Sequence, residues 1–197
     1  MKINNIDWWR TSFNHSEIEN IKYAIKNEHI SQGKITANFE KKLAKYLKVK
    51  NVITVTSGTA ALTLLLLSLG IKPNDEIIIP NRTWIATAHS AAILGVKLVI
   101  AKNKIDSPII DEDKIGRLVT NKTKAIIVVN INGRVVNIKK IRKILGTRKI
   151  KIIEDASQAM GSKNSKKFIG TIADFGFFSL SVAKMISTGQ GGFIVTD

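Results

Sequence analysis

From Val52 to Ile153 the chain repeats one pattern: a short run of aliphatic and β-branched residues, a turn marked by glycine, serine or proline, then a segment with helical spacing. The apolar runs are Val52–Val55, Glu76–Pro80, Lys97–Ile100, Ala125–Val129 and Lys151–Ile153. Helices are expected between them, from Ser57-Gly58-Thr59 to a closing Gly70, over Ala86–Leu94, over Asp111–Val119 and over Ile138–Leu145. Strands that are apolar throughout and separated by helices pair in parallel through right-handed crossovers, and both faces of their sheet need cover. The fold class is therefore α/β: a mostly parallel sheet with helices on both faces. Aromatic Phe175, Phe177 and Phe178 and the run Gly192–Thr196 read as further strands. The last meets Asp197 with no closing helix, so the architecture reads as C-terminally incomplete.

Two helices are expected before the first strand. Ser16 and Glu19 have the S-x-x-E form of a capping box, placing one helix over Glu17–Asn27, and Ile30-Ser31-Gln32-Gly33 breaks it. A second starts near Thr36, with Phe39, Leu43, Tyr46 and Leu47 along one face. The organisation expected is thus a helical segment over residues 1–50 and a larger domain over 51–197.

The chain's 197 residues, 44% of them hydrophobic, suit one folded domain. The longest apolar run, Ala60–Leu69, is about half of what a bilayer span needs, and cysteine is absent. The reading is a cytoplasmic protein with no membrane partner, no disulfide and no metal. Its net charge of +16 concentrates between Lys114 and Ile153, where twelve Lys/Arg face no Asp/Glu. A basic surface attracts phosphate backbones, but this segment has no aromatic to stack a base, so no nucleic acid is expected as partner.

Four features fall at expected strand ends, where ligands sit in an open α/β sheet. Ser57-Gly58-Thr59 joins a strand to a helix, and its free N–H groups and helix dipole suit an anion; read alone, it is a plain N-cap. Trp84 follows the strand ending at Pro80, as a stacking aromatic or an ordinary core tryptophan. Glu154-Asp155 ends a buried strand, where a carboxylate beside a cation stays ionised and can hold a heterocyclic nitrogen protonated. Lys184 lies between the aromatic strand and the turn of Gly189, Gly191 and Gly192. A lysine in partly apolar surroundings becomes a neutral nucleophile able to form a Schiff base, whereas a solvated one does not. An anion cradle, an aromatic, a carboxylate and a nucleophilic lysine are together the parts of a pyridoxal 5'-phosphate (PLP) site.

At these residues the chain closely resembles the DegT/DnrJ/EryC1/StrS family of PLP-dependent sugar aminotransferases. The resemblance runs from Ile30-Ser31-Gln32-Gly33 and Asn38-Phe39-Glu40 through Ser57–Leu62, Asp75–Pro80 and Glu154–Ala159 to Phe178-Ser179, Lys184 and Gly189–Gly192. It implies the large domain of the type I PLP-dependent aminotransferase fold, with the small C-terminal domain absent. It makes Lys184 the lysine that carries the cofactor and Asp155 the partner of its pyridine nitrogen. Gln158 would face the phenolic oxygen, Trp84 would stack on the ring, and Gly58, Thr59 and Ser179 would hold the phosphate. The implied reaction transfers an amino group from an amino-acid donor, glutamate, to a nucleotide-linked keto-sugar for cell-surface polysaccharide or related amino-sugar synthesis, by a homodimer. Two alternatives are a sugar dehydratase of the same family, whose members replace the lysine by histidine, and a non-catalytic fragment that binds a partner. Two departures from the family pattern are Gln190 in place of Glu and the basic Ala101-Lys102-Asn103-Lys104 in place of an acidic stretch.

Overall fold

The computed structural model describes residues 9–197. Its centre is a seven-stranded sheet: β1 (Asn51–Val55), β2 (Glu76–Pro80), β3 (Lys97–Ala101), β4 (Thr123–Val129), β5 (Lys151–Asp155), β8 (Phe175–Ser179) and β9 (Gly192–Thr196). A two-stranded hairpin, β6 (Lys163–Asn164) with β7 (Lys167–Phe168), lies apart from it. The spatial order is β1-β9-β8-β5-β4-β2-β3. Pairing is parallel from β8 through β5, β4 and β2 to β3, whereas β9 is antiparallel to both β8 and β1. One reversed strand between two others leaves β1 running in the same sense as β8. The carboxyl ends of β1, β2, β3, β4, β5 and β8 therefore open at one mouth.

Successive residues of a strand point to opposite faces. Ile77, Ile79, Ala125, Ile127, Ile153, Phe177 and Ile194 pack under α3 (Gly58–Ser68) and α4 (Ile85–Ala92). Their neighbours Ile78, Ile126, Val128 and Ile152 pack on the other side with Ile115 of α5 (Glu112–Ile115) and Ile138, Ile141 and Leu145 of α6 (Ile138–Leu145). A third cluster joins Leu43 and Leu47 of α2 (Lys34–Leu47) to Val52, Phe178 and Phe193, the last two rings stacked with centroids 4.6 Å apart. Helices thus cover both faces, as the uniformly apolar strands require.

Two local expectations are corrected. The first helix, α1 (His15–Lys26), starts at an Asn14 N-cap, and the capping box is Asn14 with Glu17: Ser16 N–H donates to Asn14 Oδ1, while Glu17 accepts from the Asn14 N–H at 2.7 Å. Asn caps as well as Ser, and the earlier residue takes the helix start. Four residues are all of α5 that forms, with Gly116, a poor helix former, as its C-cap packed where a Cβ would lie 3.1 Å from Ile144 of α6. Strand β5 ends in Glu154 and Asp155, as expected of the buried strand there.

Candidate active site

Strand parity separates Glu154 from Asp155. Glu154 shares its face with Ile152, on the α6 side, and is 1% exposed. It accepts from Asn130 Nδ2 (3.2 Å) and from the N–H groups of Gly170 (3.1 Å), Ile172 (2.7 Å) and Ala173 (2.8 Å). A buried carboxylate filled with donors in this way is a structural pin, joining the end of β4 to the segment before β8. Sequence reasoning missed this role, though alternation in a strand buried on both faces was signal enough.

Asp155 shares its face with Ile153, towards α3 and α4, and is 8% exposed. One carboxylate oxygen accepts from the Ser157 N–H at 2.9 Å. Burial pushes the carboxyl above the ordinary aspartate range; hydrogen bonds from Ser157 and the charge of Lys184 pull the other way. Lys184 is half-buried on the segment between β8 and β9. That segment is closed at its base, Leu180 N–H donating to Gly191 O and Thr188 N–H to Leu180 O, each at 2.9 Å. Gly191 is needed there: its φ is 157° and a Cβ would lie 2.6 Å from Thr188 Oγ1.

The register brings the anion cradle together on the same face. Ser179, two residues past Phe177, pairs with Gly192, which also pairs with Val55 at the end of β1. Ser57 then caps α3, its Oγ accepting from Ala60 N–H at 3.0 Å. A Cβ on Gly58 would lie 2.9 Å from Ser179 Cβ, and one on Gly192 would lie 2.6 Å from the Ser57 carbonyl carbon. Glycine at both positions lets helix start and strand end approach one another, leaving N–H groups at the α3 terminus beside the Ser179 hydroxyl. Thr59 is exposed beside them, and its carbonyl accepts from Ser90 Oγ of α4 at 3.5 Å.

Trp84 is the N-cap residue of α4, at the same mouth, and is 75% exposed, which overturns the core-tryptophan alternative. Gln158 is exposed, its Oε1 accepting from Asn132 N–H at 2.9 Å. The basic departure after β3 has a structural use, since Lys104 pairs with buried Glu112 at 2.7 Å. In α6, Lys140 pairs with Asp113 at 2.7 Å and Arg142 with Asp174. Two surface cavities, of about 220 and 430 Å³, lie along Gly170–Gly176 with the end of β9 and between Val119–Asn121 and Arg148–Ile150. Neither touches a predicted site residue.

A family model, the DegT/DnrJ/EryC1/StrS aminotransferase family, matches residues 12–197. The chain belongs to this family. As a DegT/DnrJ/EryC1/StrS protein it is 36% identical over 167 residues to GDP-perosamine synthase of Caulobacter vibrioides, covering 85% of this chain and 45% of that protein. To the UDP-4-amino-4,6-dideoxy-N-acetyl-beta-L-altrosamine transaminase of Campylobacter jejuni it is 36% identical over 195 residues, covering 98% and 51%. Among solved structures, the E. coli GDP-4-keto-6-deoxy-D-mannose-3-dehydratase with bound hydrated PLP aligns with a TM-score of 0.93 at 30% identity, covering 98% of this chain and 51% of that one. The chain spans about half the length of the relatives it matches. Type I aminotransferase architecture follows from these structures, and the family and its PLP-bound members indicate pyridoxal phosphate as cofactor. The residues present fit that group. The glycine-lined cradle suits a phosphate, and buried Asp155 with Lys184 nearby suits a protonated ring and its aldehyde.

Proposed function

We propose that this chain is the cofactor-binding part, over residues 51–197, of an aminotransferase that moves an amino group from glutamate to a nucleotide-linked keto-sugar. The observation that carries the reading is the convergence, at one mouth of the sheet, of buried Asp155 at the end of β5, the Gly58–Ser179 cradle, and the segment after β8 that carries Lys184. When bound there, pyridoxal phosphate supplies an electron sink for the donor's Cα–H bond.

Each residue has a defined task. Gly58, Thr59 and Ser179 hold the phosphate through main-chain N–H and hydroxyl groups. Trp84 lays its exposed ring on the cofactor face. Asp155, once a cationic ring nitrogen neutralises the cost of its burial, holds the proton on that nitrogen. Lys184 would hold the cofactor through its aldehyde and, once its amine is free and neutral, would take and return the proton at the donor's Cα. Gln158 turns its carboxamide to the phenolic oxygen.

A dehydratase is the second reading, favoured by the solved sugar dehydratases among the structural neighbours. Lys184 supports transamination instead, because the family resemblance assigns histidine to dehydratases at this position. Incubation of the holoenzyme with glutamate and a nucleotide-linked 4-keto-6-deoxy sugar tests both. Formation of 2-oxoglutarate matched by an amino-sugar supports the aminotransferase; loss of a sugar hydroxyl without nitrogen transfer supports the dehydratase. The protein acts in the cytoplasm as a homodimer on this reading. Among the described residues no helix is long and apolar enough to cross a membrane, and apolar Ile18, Ile21 and Ile25 of α1 are exposed. A protein that sediments as a monomer while holding stoichiometric cofactor would refute the dimer.

A further inference from the structure

Gln158 owes its orientation to a turn on a different strand. Beyond β4 the chain makes one 3-10 turn, Ile131–Gly133, in which Asn132 adopts φ 52°, ψ 33°. Asn is among the few residues that enter this left-handed region at low cost, and Gly133 follows with φ 73°. In that conformation the Asn132 N–H points at the Gln158 side chain, 2.9 Å from Oε1. A main-chain N–H can only donate, so the atom it meets is the amide oxygen, and the Gln158 NH₂ is left facing away.

The turn is anchored from below. Asn130 is 1% exposed, donates from Nδ2 to Glu154 and accepts at Oδ1 from Val136 N–H (3.1 Å), while its own N–H donates to the Asp155 carbonyl (3.0 Å). Both acidic residues of β5 are thus tied to this turn, Glu154 through its carboxylate and Asp155 through its main-chain carbonyl.

We propose that Asn132 is a positioning residue: its main-chain N–H, held in a left-handed turn, fixes the Gln158 carboxamide so that only the NH₂ can face the cofactor's phenolic oxygen. This rests on the role given to Gln158 above. A donor at that oxygen favours its anionic form, and loss of the donor raises the pH at which the form appears.

The test is a spectroscopic pH titration of the visible cofactor band in the protein loaded with pyridoxal phosphate. Asn132→Val puts a β-branched residue where φ is positive and drives the turn out of its conformation, while the exposed position leaves the core untouched. Asn132→Gly keeps both the conformation and the N–H. Asn132→Val and Gln158→Ala are each expected to raise the midpoint by about one pH unit, the double variant no further than Gln158→Ala alone, and Asn132→Gly not at all. Equal shifts from Asn132→Val with and without the Gln158 side chain would overturn the proposal. So would a shift on Gln158→Ala unaccompanied by one on Asn132→Val, or no shift on Gln158→Ala. Failure of the broader reading shows separately, as a visible band that survives Lys184→Ala. Thermal unfolding of each variant confirms that the fold is retained.

Discussion

Gly58 and Ser179 lie 121 positions apart in sequence, yet a Cβ on Gly58 would come within 2.9 Å of the Ser179 Cβ and 3.4 Å of its Cα. The start of α3 is pressed against the end of β8, and the missing side chain is what allows it. Gly58→Ala must push helix and strand apart. A stability loss of about 1–3 kcal/mol is expected, as for overpacking elsewhere, with weaker binding of pyridoxal phosphate. Urea unfolding and cofactor titration measure the two effects; unchanged values for both would show that the approach is not tight.

Lys184→Ala should abolish the visible cofactor band, the borohydride-fixed label on this residue and turnover together. The side chain is half-buried and outside the core clusters, so stability should change by no more than about 0.5 kcal/mol. Peptide mapping of the reduced wild-type protein checks the assignment. A label on Lys163, whose ammonium lies over the Phe168 ring at 4.6 Å, or on Lys166 or Lys167, would refute it.

Asp155→Asn separates stability from chemistry. Burial raises the folded-state pKa of this acid, so between the ordinary aspartate range and that raised value the folded chain holds a proton that the unfolded chain has lost. Stability contributed by Asp155 is therefore greatest at low pH and falls as pH rises through that window. Asn carries no charge and keeps an oxygen for the Ser157 N–H. The cofactor-free variant should melt higher than wild type at neutral pH, the gap closing as pH falls, while turnover drops and pyridoxal phosphate still binds. A variant less stable than wild type across the whole pH range would contradict the sign.

Glu154→Ala should do the opposite. It strands the buried Gly170 N–H and Asn130 amide, each costing about 1–3 kcal/mol, and the part-buried N–H groups of Ile172 and Ala173, so a loss of about 3 kcal/mol or more is expected. Denaturant unfolding, or failure of the variant to accumulate folded, is the readout; a loss below about 1 kcal/mol would mean that water replaces the carboxylate.

Within the basic helix α6, the charges are not equivalent. Lys139→Gln with Lys143→Gln should leave stability within about 0.5 kcal/mol and transamination unchanged. Arg142→Gln removes the contacts to Asp174 and to the Ile150 carbonyl (3.2 Å) and should cost about 1–2 kcal/mol in unfolding experiments. Salt-resistant binding of one nucleic-acid sequence through α6 would overturn the view that its charge is incidental.

What the sequence determined by itself was whatever short-range periodicity can carry. The apolar runs became β1, β2, β3, β4, β5, β8 and β9, and the helices α2, α3, α4 and α6 formed close to their expected places, because a period of 2 or 3.6 and a capping residue are local properties. Cofactor and family were legible too, since Ser57-Gly58-Thr59, Glu154-Asp155 and Lys184 stand in a fixed order along the chain. Relationships across the sheet belonged to the tertiary structure. Nothing local shows that β9 runs antiparallel between β8 and β1, yet that reversal is what sets Ser179 beside Gly58 at the mouth. Nothing local shows that Asn132 meets Gln158, because the contact depends on the register of β4 against β5. Glu154 and Asp155 are neighbours of like chemistry in sequence, and the sheet alone divides them: one face holds a carboxylate filled with donors, the other a carboxylate whose main-chain donor is the Ser157 N–H. Burial and pairing are long-range properties, set by which strands lie side by side rather than by the residues on either side in the chain.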